Sequence, residues 1–219
     1  MRVALPNYGH LMSSQKVNMN NGNFASRFIR LGGIVALFAG GLMALADIWH
    51  ATAGLLVVNY SGSSTEELGS IIFLVGRVLV VLALPGLYLY QSESAGKFGL
   101  IAFAIVMLGN TLMVSSDWSE VFIGPILRRL DPTLFDQPPT RLMVGFLINF
   151  IIETLGWLLF GISVYRARVF PRPAAILLIL GVLLPFVGPS WSYVVMYAVI
   201  VWMGLIIARN KQEESTQLT

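Results

Sequence analysis

Six apolar stretches dominate the sequence and leave it few ways to fold in water. A membrane-spanning helix needs about 20 consecutive apolar residues, because each residue adds about 1.5 Å to an α-helix. Hydrophobic residues make up 56% of the chain and charged residues 11%, whereas charged residues make up about 25% of a typical soluble domain. The sequence therefore predicts an all-α, polytopic membrane protein, a bundle of six transmembrane helices. The predicted spans are 31–51, 70–90, 98–116, 142–165, 174–188 and 191–208.

Polar segments divide the chain into three parts. Residues 1–30 are predicted to form a polar cytoplasmic tail, residues 31–208 the six-helix transmembrane domain, and residues 209–219 a second polar cytoplasmic tail. The connection 119–141 alternates apolar with charged residues between prolines, which is typical of a short helix lying on a membrane surface. We expect this interfacial helix on the outer side, between spans three and four.

The basic residues predict the orientation of the bundle. Lys and Arg concentrate in the loops and tails on the cytoplasmic side of a membrane protein. Ten of them fall on one side of the predicted spans and three on the other. This asymmetry predicts a multi-pass protein of the inner (plasma) membrane with cytoplasmic N and C termini. The ten are Arg2, Lys16, Arg27, Arg30, Lys97, Arg166, Arg168, Arg172, Arg209 and Lys211, and the three are Arg128, Arg129 and Arg141.

The first span carries a ridge of small side chains and ends near a carboxylate. Small residues at every fourth position allow a neighbouring helix backbone to approach closely. Asp47 borders this ridge, and an unpaired carboxylate facing lipid costs about 2.5–3.5 kcal/mol on insertion scales. We therefore expect Asp47 to face a partner inside the bundle. The small residues are Gly32, Ala36, Gly40 and Ala44.

Charged residues of three spans are predicted to lie at similar depth. Arg77 lies roughly 20 Å and Glu153 roughly 18 Å from the cytoplasmic ends of their spans, at about 1.5 Å per residue. A guanidinium can hold two carboxylates through charge-assisted hydrogen bonds. We expect Arg77 to bridge Asp47 and Glu153, with Asn110 and Asn149 satisfying the remaining donors and acceptors. If Arg77 pairs mainly with Asp47, an unpaired Glu153 becomes a candidate proton carrier.

Two residues nearer the predicted outer surface, His50 and Asp117, complete this network. His50 could ligate a haem, a chlorin or a metal, but haem held between helices usually has two axial ligands, and no second histidine lies in a predicted span. A metal site made of Asp47, His50 and Asp117 lacks a ligand-spacing motif. The alternative is an interfacial histidine that pairs with Asp47 or Asp117. The sequence thus predicts no metal and leaves the cofactor unspecified.

Several functional classes find no support in the sequence. The chain has no cysteine, which excludes disulfides and Cys nucleophiles. It contains no Gly-x-Ser-x-Gly, no His-Glu-x-x-His and no phosphate-binding glycine loop, the motifs of common hydrolases and nucleotide enzymes. The basic residues lie at predicted helix ends, which gives no indication of nucleic-acid binding. We therefore expect a non-catalytic protein, with an intramembrane enzyme as the least favoured alternative.

Two short segments resemble a known family. Segments 165–181 (YRARVFPRPAAILLILG) and 85–91 (PGLYLYQ) are similar to small bacterial inner-membrane proteins of a domain-of-unknown-function family. The family pattern is Tyr-Arg, then Pro-Arg, then an apolar helix. The resemblance implies a bacterial six-helix membrane protein and implies no chemical activity. The matching residues are Tyr165, Arg166, Pro171 and Arg172.

Two functions remain open at this point. The first is an accessory or structural subunit of a larger membrane complex. Spans five and six carry no charged residue, so they are free to contact lipid, other membrane subunits or another copy of the chain. The second is a small transporter, channel or ligand-sensing protein with an outward-facing pocket around Asp47, Arg77 and Glu153. Buried polar groups serve as structural contacts in some membrane bundles and as ligand sites in others.

Overall fold

The computed structural model describes residues 9–56, 63–131, 138–188 and 193–216. All regular elements within these ranges are helices, which confirms the predicted all-α class. A 3₁₀ turn (Leu184–Phe186) follows the fifth helix. The helices are α1 (Gly9–Leu56), α2 (Ser64–Phe122), α3 (Gly124–Leu130), α4 (Thr140–Ala167), α5 (Arg172–Leu183) and α6 (Val194–Thr216).

The long helices are apolar enough for a lipid environment. Within the described part of the chain, three helical segments have the length and composition to cross a membrane: Phe24–Leu56, Ser64–Phe122 and Thr140–Ala167. The helical segments Arg172–Phe186 and Val194–Arg209 are apolar but shorter. These helices indicate a membrane-embedded protein. The six described helices differ from the six predicted spans, because α2 contains spans two and three and α3 is the short helix predicted between spans three and four.

A single glycine turns α2 into a hairpin. Gly96 has φ 57° and ψ −155°, a combination that is essentially restricted to glycine. Tyr88 and Phe103 stack across the reversal with their ring centroids 4.5 Å apart. We call residues 64–95 the first arm and residues 97–122 the second arm. The polar residues between predicted spans two and three, 91–96, are therefore mostly helical.

The first arm begins at a side-chain cap. The hydroxyl of Ser63 accepts a hydrogen bond from the backbone N–H of Glu66 at 3.2 Å, which satisfies one of the free donors at a helix N-terminus. At the other end of the arm, Gln91 is buried with 1% of its surface exposed. The expected position of Gln91 between spans two and three is wrong, because the helix of the first arm continues past Gln91 toward the reversal at Gly96.

The helices pack in chain order around one core. α1 contacts α2, α2 contacts α4, α4 contacts α5, α5 contacts α6, and α6 returns to α1. Side chains from all five of these helices are fully buried between them. α3 lies against α2. The buried side chains include Met43, Leu84, Phe160, Leu178 and Ile200.

The small-residue ridge of α1 allows close approach, as predicted, but it serves two neighbours. A methyl group placed on Gly32 would lie 2.6 Å from the Cα of Gly86 in α2. A methyl group on Gly40 would lie 2.6 Å from the carbonyl oxygen of Tyr197 in α6. Ala36 between them is fully buried. The ridge therefore fixes α1 in the angle between α2 and α6.

Several predicted boundaries are wrong. α1 begins at Gly9 and α6 ends at Thr216, so part of each predicted polar tail is helical. α5 ends at Leu183 and gives way to a 3₁₀ turn that contains Pro185, because proline has no N–H to continue the helix. The start of the predicted sixth span lies outside the described residues. The second arm of α2 continues beyond the predicted end of span three to Phe122, which matters for the site.

Candidate functional site

Arg77 lies between two carboxylates from different helices. Its Nη1 donates to Oε1 of Glu153 on α4, and its Nε lies 2.5 Å from Oδ2 of Asp117 on the second arm of α2. The Arg77 side chain is 6% exposed, and each carboxylate side chain is 12% exposed. The guanidinium carbon also lies 4.9 Å from the ring centroid of Phe73. We call Arg77, Asp117 and Glu153 the Arg77 cluster.

The predicted bridge is correct on one side only. The structure confirms the pairing of Arg77 with Glu153, but the second carboxylate is Asp117 and not Asp47. The hairpin explains the difference, since Arg77 precedes Gly96 by 19 residues and Asp117 follows it by 21. Two arms of similar length bring these side chains face to face. Glu153 is therefore paired, and the alternative of an unpaired proton carrier is wrong.

The two asparagines do not complete the cluster as predicted. The Nδ2 of Asn110 donates to the carbonyl oxygen of Val106 in its own helix at 2.8 Å. The Nδ2 of Asn149 donates to Oγ of Ser116 at 2.9 Å and so ties α4 to the second arm of α2. Both amide nitrogens thus stabilise helices near the cluster rather than contacting its carboxylates.

His50 and Asp47 lie together on the side of α1 that faces α2. The Nδ1 of His50 donates to the carbonyl oxygen of Ala46 at 2.8 Å, and its ring meets Phe73 edge-on with centroids 6.4 Å apart. Oδ2 of Asp47 is buried without a hydrogen-bond partner among the described residues. Within the same ranges, no group of three or more Asp, Glu or His side chains is arranged to hold a metal ion.

A cavity of about 250 Å³ lies beside the Arg77 cluster. All three members of the cluster line it, and Glu120 from the last turn of α2 joins them. The rest of the wall comes from α2, α4, α5 and α6 and is mostly aromatic. We call it the Arg77 cavity. Its aromatic residues are Phe73, Phe146, Phe150, Trp157, Tyr193 and Tyr197.

Two smaller cavities continue from the Arg77 cavity toward α3. The Asp47 cavity, of about 210 Å³, is lined by Asp47 and His50 and shares Asp117 and Glu120 with the Arg77 cavity. The α3 cavity, of about 180 Å³, also includes Glu120. A salt bridge of 3.1 Å between Arg128 of α3 and Glu66 of α2 borders it. All three cavities thus share Glu120 as a lining residue.

Sequence reasoning missed most residues of the Arg77 cavity, including Glu120, Trp157, Tyr193 and Tyr197. Glu120 was assigned to a connection, although it lies three residues after Asp117 and therefore on the same helix face. Trp157 lies one turn after Glu153, and Tyr193, just before α6, lies four residues before Tyr197 of that helix. The spacing of three or four residues is the signal that would have found them, once helix ends had been extended past the apolar runs.

No protein-family model, curated protein or solved structure matches the chain. The resemblance to a domain-of-unknown-function family therefore stays a prediction, and the function has to be argued from the site. The fold and the site together define an all-helical, membrane-embedded protein with a buried ion-pair cluster beside an aromatic cavity.

Proposed function

We propose that this chain is a non-catalytic membrane protein that binds a small ligand in the Arg77 cavity, as a small transporter, channel or ligand-sensing protein. One observation carries the proposal: the Arg77 cluster lines a cavity instead of being packed on every side. Protein interiors are close-packed, and voids larger than a water molecule are few. Buried charges that serve only to hold helices together gain nothing from an adjoining cavity of about 250 Å³.

We further propose that the chain crosses the inner (plasma) membrane six times and that its three cavities open outward. Gly32 lies against Gly86, so Arg27 and Arg30, which precede Gly32 on α1, lie near the Gly96 end of the hairpin. Arg166 lies there too, with its guanidinium carbon 5.2 Å from the ring centroid of Phe98. This concentration of basic residues supports a cytoplasmic Gly96 end and an outer α3 end.

The absence of native cysteine allows a direct test of an open cavity. Thr154 lines the Arg77 cavity, and Thr154→Cys would provide the only thiol of the chain. In right-side-out membrane vesicles, we expect a membrane-impermeant maleimide to label this variant from outside. Leu178→Cys is the matched control, since Leu178 is fully buried in the core. A Thr154→Cys thiol that resists labelling from outside would contradict the proposed outward-facing cavity.

A second function, an accessory subunit of a membrane complex, is favoured by one feature of α4. In its most apolar stretch 11% of residues are buried, against 39% in α1 and in α2. The first half of α4 thus presents apolar side chains on all sides, including Leu142, Met143, Val144 and Leu147. Spans five and six, the surfaces first expected to meet a partner, pack into the core on one side as α5 and α6 and keep exposed apolar side chains on the other, among them Ile176, Leu180 and Leu205.

Mild-detergent extraction separates the two functions. A large band on a native gel with fixed companions in its mass spectrum, or with a visible absorption spectrum, would support the accessory subunit. A colourless monomer or dimer would support the ligand-binding protein.

A further inference from the structure

We propose that the Arg77 cavity binds a small organic ammonium ion that also carries an oxygen acceptor. This inference rests on the proposed function, because it names the chemical class of ligand for the same cavity. Three features of the cavity carry it: an excess of carboxylates, a mostly aromatic wall and a buried donor without a well-aligned acceptor.

The charges lining the cavity do not balance. Asp117, Glu120 and Glu153 face it together with one cation, Arg77. Arg77 pairs with two of these carboxylates, whereas Glu120 forms no salt bridge with the described residues. Glu120 is also exposed and lines all three cavities. A positive ligand would offset the excess negative charge, and an anionic ligand would increase it.

The walls suit an organic cation better than a hydrated metal ion. Aromatic faces attract ammonium groups through their quadrupole, and cages of such rings recognise quaternary ammonium ligands. The guanidinium of Arg77 already lies 4.9 Å from the ring centroid of Phe73. Tyr197 meets Phe73 edge-on with centroids 6.5 Å apart, and Tyr193 stacks on Tyr197 with centroids 6.3 Å apart. The rings thus provide apolar area for the body of the ligand and favour its charge.

The indole nitrogen of Trp157, in the same wall, is a hydrogen-bond donor that a ligand oxygen could satisfy. Trp157 lines the cavity with 2% of its surface exposed. Its buried Nε1 interacts with the carboxylate of Glu153 but forms no well-aligned hydrogen bond in the described part of the chain. A buried donor without a well-aligned acceptor is destabilising. A hydroxyl oxygen on the ligand would satisfy it, which makes a small amino alcohol the simplest fit to about 250 Å³.

Protection of Thr154→Cys from labelling tests this class of ligand. The probe is choline, and its control is 3,3-dimethyl-1-butanol, which has the same shape without the charge. We expect choline to slow maleimide labelling at a concentration about tenfold lower than the neutral alcohol, since cation–π attraction is lost in the alcohol. Equal protection by the two compounds, or protection by neither, would overturn the inference. In both cases labelling itself would still support the open cavity, so the two proposals fail separately.

A second variant tests the carboxylate excess. Glu120→Gln in the Thr154→Cys background should weaken choline protection about fivefold, as expected for the loss of one partly exposed charge contact. Glu93→Gln is the control, because Glu93 is exposed and lies near Gly96 at the other end of the hairpin. Unchanged labelling without choline would show that both variants keep the fold. Unchanged choline protection in Glu120→Gln would overturn the role of this carboxylate.

An ammonium group can come from a free compound or from a lipid headgroup, and phosphocholine distinguishes them. Its phosphate would face the carboxylates of the cavity, so we expect it to protect less well than choline. That result would support the ammonium site and assign it to a free compound. Protection equal to that of choline would also support the ammonium site and would assign it to a headgroup.

Discussion

Arg77 has two anionic partners, and neither partner has a second described cation within salt-bridge distance. The consequences of substitution are therefore unequal within the cluster. Removing Glu153 or Asp117 leaves Arg77 with one carboxylate. Removing Arg77 leaves two buried carboxylates close together, and a buried charge without its partner is strongly destabilising.

We expect Arg77→Gln to be the most damaging single substitution in the cluster. It should lower the free energy of unfolding by about 3–5 kcal/mol, the range for breaking a buried ion pair from one side. Thermal unfolding of the detergent-solubilised protein measures this loss. Arg128→Gln is the control, since its salt bridge with Glu66 is partly exposed and such a pair contributes about 0–1 kcal/mol. Equal losses in the two variants would show that the Arg77 cluster contributes no more to the free energy of unfolding than the partly exposed pair does.

Neutralising the whole cluster separates stability from ligand binding. The triple variant Arg77→Gln, Asp117→Asn, Glu153→Gln retains polar groups of similar size but has no buried charge left unpaired. We therefore expect it to fold better than Arg77→Gln alone, because the two uncompensated carboxylates are gone. Choline protection in the Thr154→Cys background should be lost. A triple variant that does not assemble would instead identify the cluster as a structural contact.

At the scale of helices, the α2 hairpin decides what Arg77 contacts. Gly96 reverses the chain with one residue, so the register of the two arms follows directly from their lengths. The second arm must also stay helical beyond the apolar run for Asp117 to reach Arg77. It does so to Phe122, where the N–H of Ile123 donates to the carbonyl oxygen of Ser119.

Gly96→Ala should destabilise the hairpin. Its φ and ψ lie in a region that residues with a Cβ avoid, at a cost on the order of 1–3 kcal/mol. The matched control is Gly41→Ala, since Gly41 is helical and an added methyl group would have nothing within 4 Å. That control should be neutral or stabilising by up to about 1 kcal/mol. Equal effects on the thermal midpoint would show that the reversal does not depend on the conformation of Gly96.

Hydropathy predicted most of the helices and part of the site. The apolar runs located α1 and α4, and the depth of Arg77 and Glu153 predicted their pairing correctly. Asp117 was expected nearer the outer surface than Arg77, because charged residues beyond an apolar run were taken as the end of the helix. Hydropathy cannot show that a helix extends past the apolar region when tertiary contacts support it. For the same reason Glu120 was assigned to a connection.

At the scale of the whole molecule, charge is unequally distributed between the two ends. Lys97 and Arg166 lie at the Gly96 end. The carboxylates Glu66, Glu67 and Glu120 line the α3 cavity at the other end. This arrangement places the carboxylate-rich cavities on the side that the positive-inside rule assigns to the exterior.

Cysteine labelling of the two ends would test this orientation. Glu93→Cys should be labelled by an impermeant maleimide only from the cytoplasmic side, and Glu67→Cys only from outside. Both side chains are exposed, so access depends on the side of the membrane and not on packing. Right-side-out and inside-out vesicles provide the comparison. The reverse pattern would invert the topology and make the cavities open to the cytoplasm.

The hairpin also has a consequence for biogenesis. Arg77 and Asp117 belong to the two arms of one hairpin, so both are synthesised before Glu153 on α4. A nascent chain that folds at Gly96 can insert its arginine with the charge already offset by a carboxylate, which lowers the barrier that a lone arginine meets in lipid. Glu153 then arrives as the second anion when α4 docks. The order of the cluster's partners along the chain thus matches the order in which a growing membrane protein needs them.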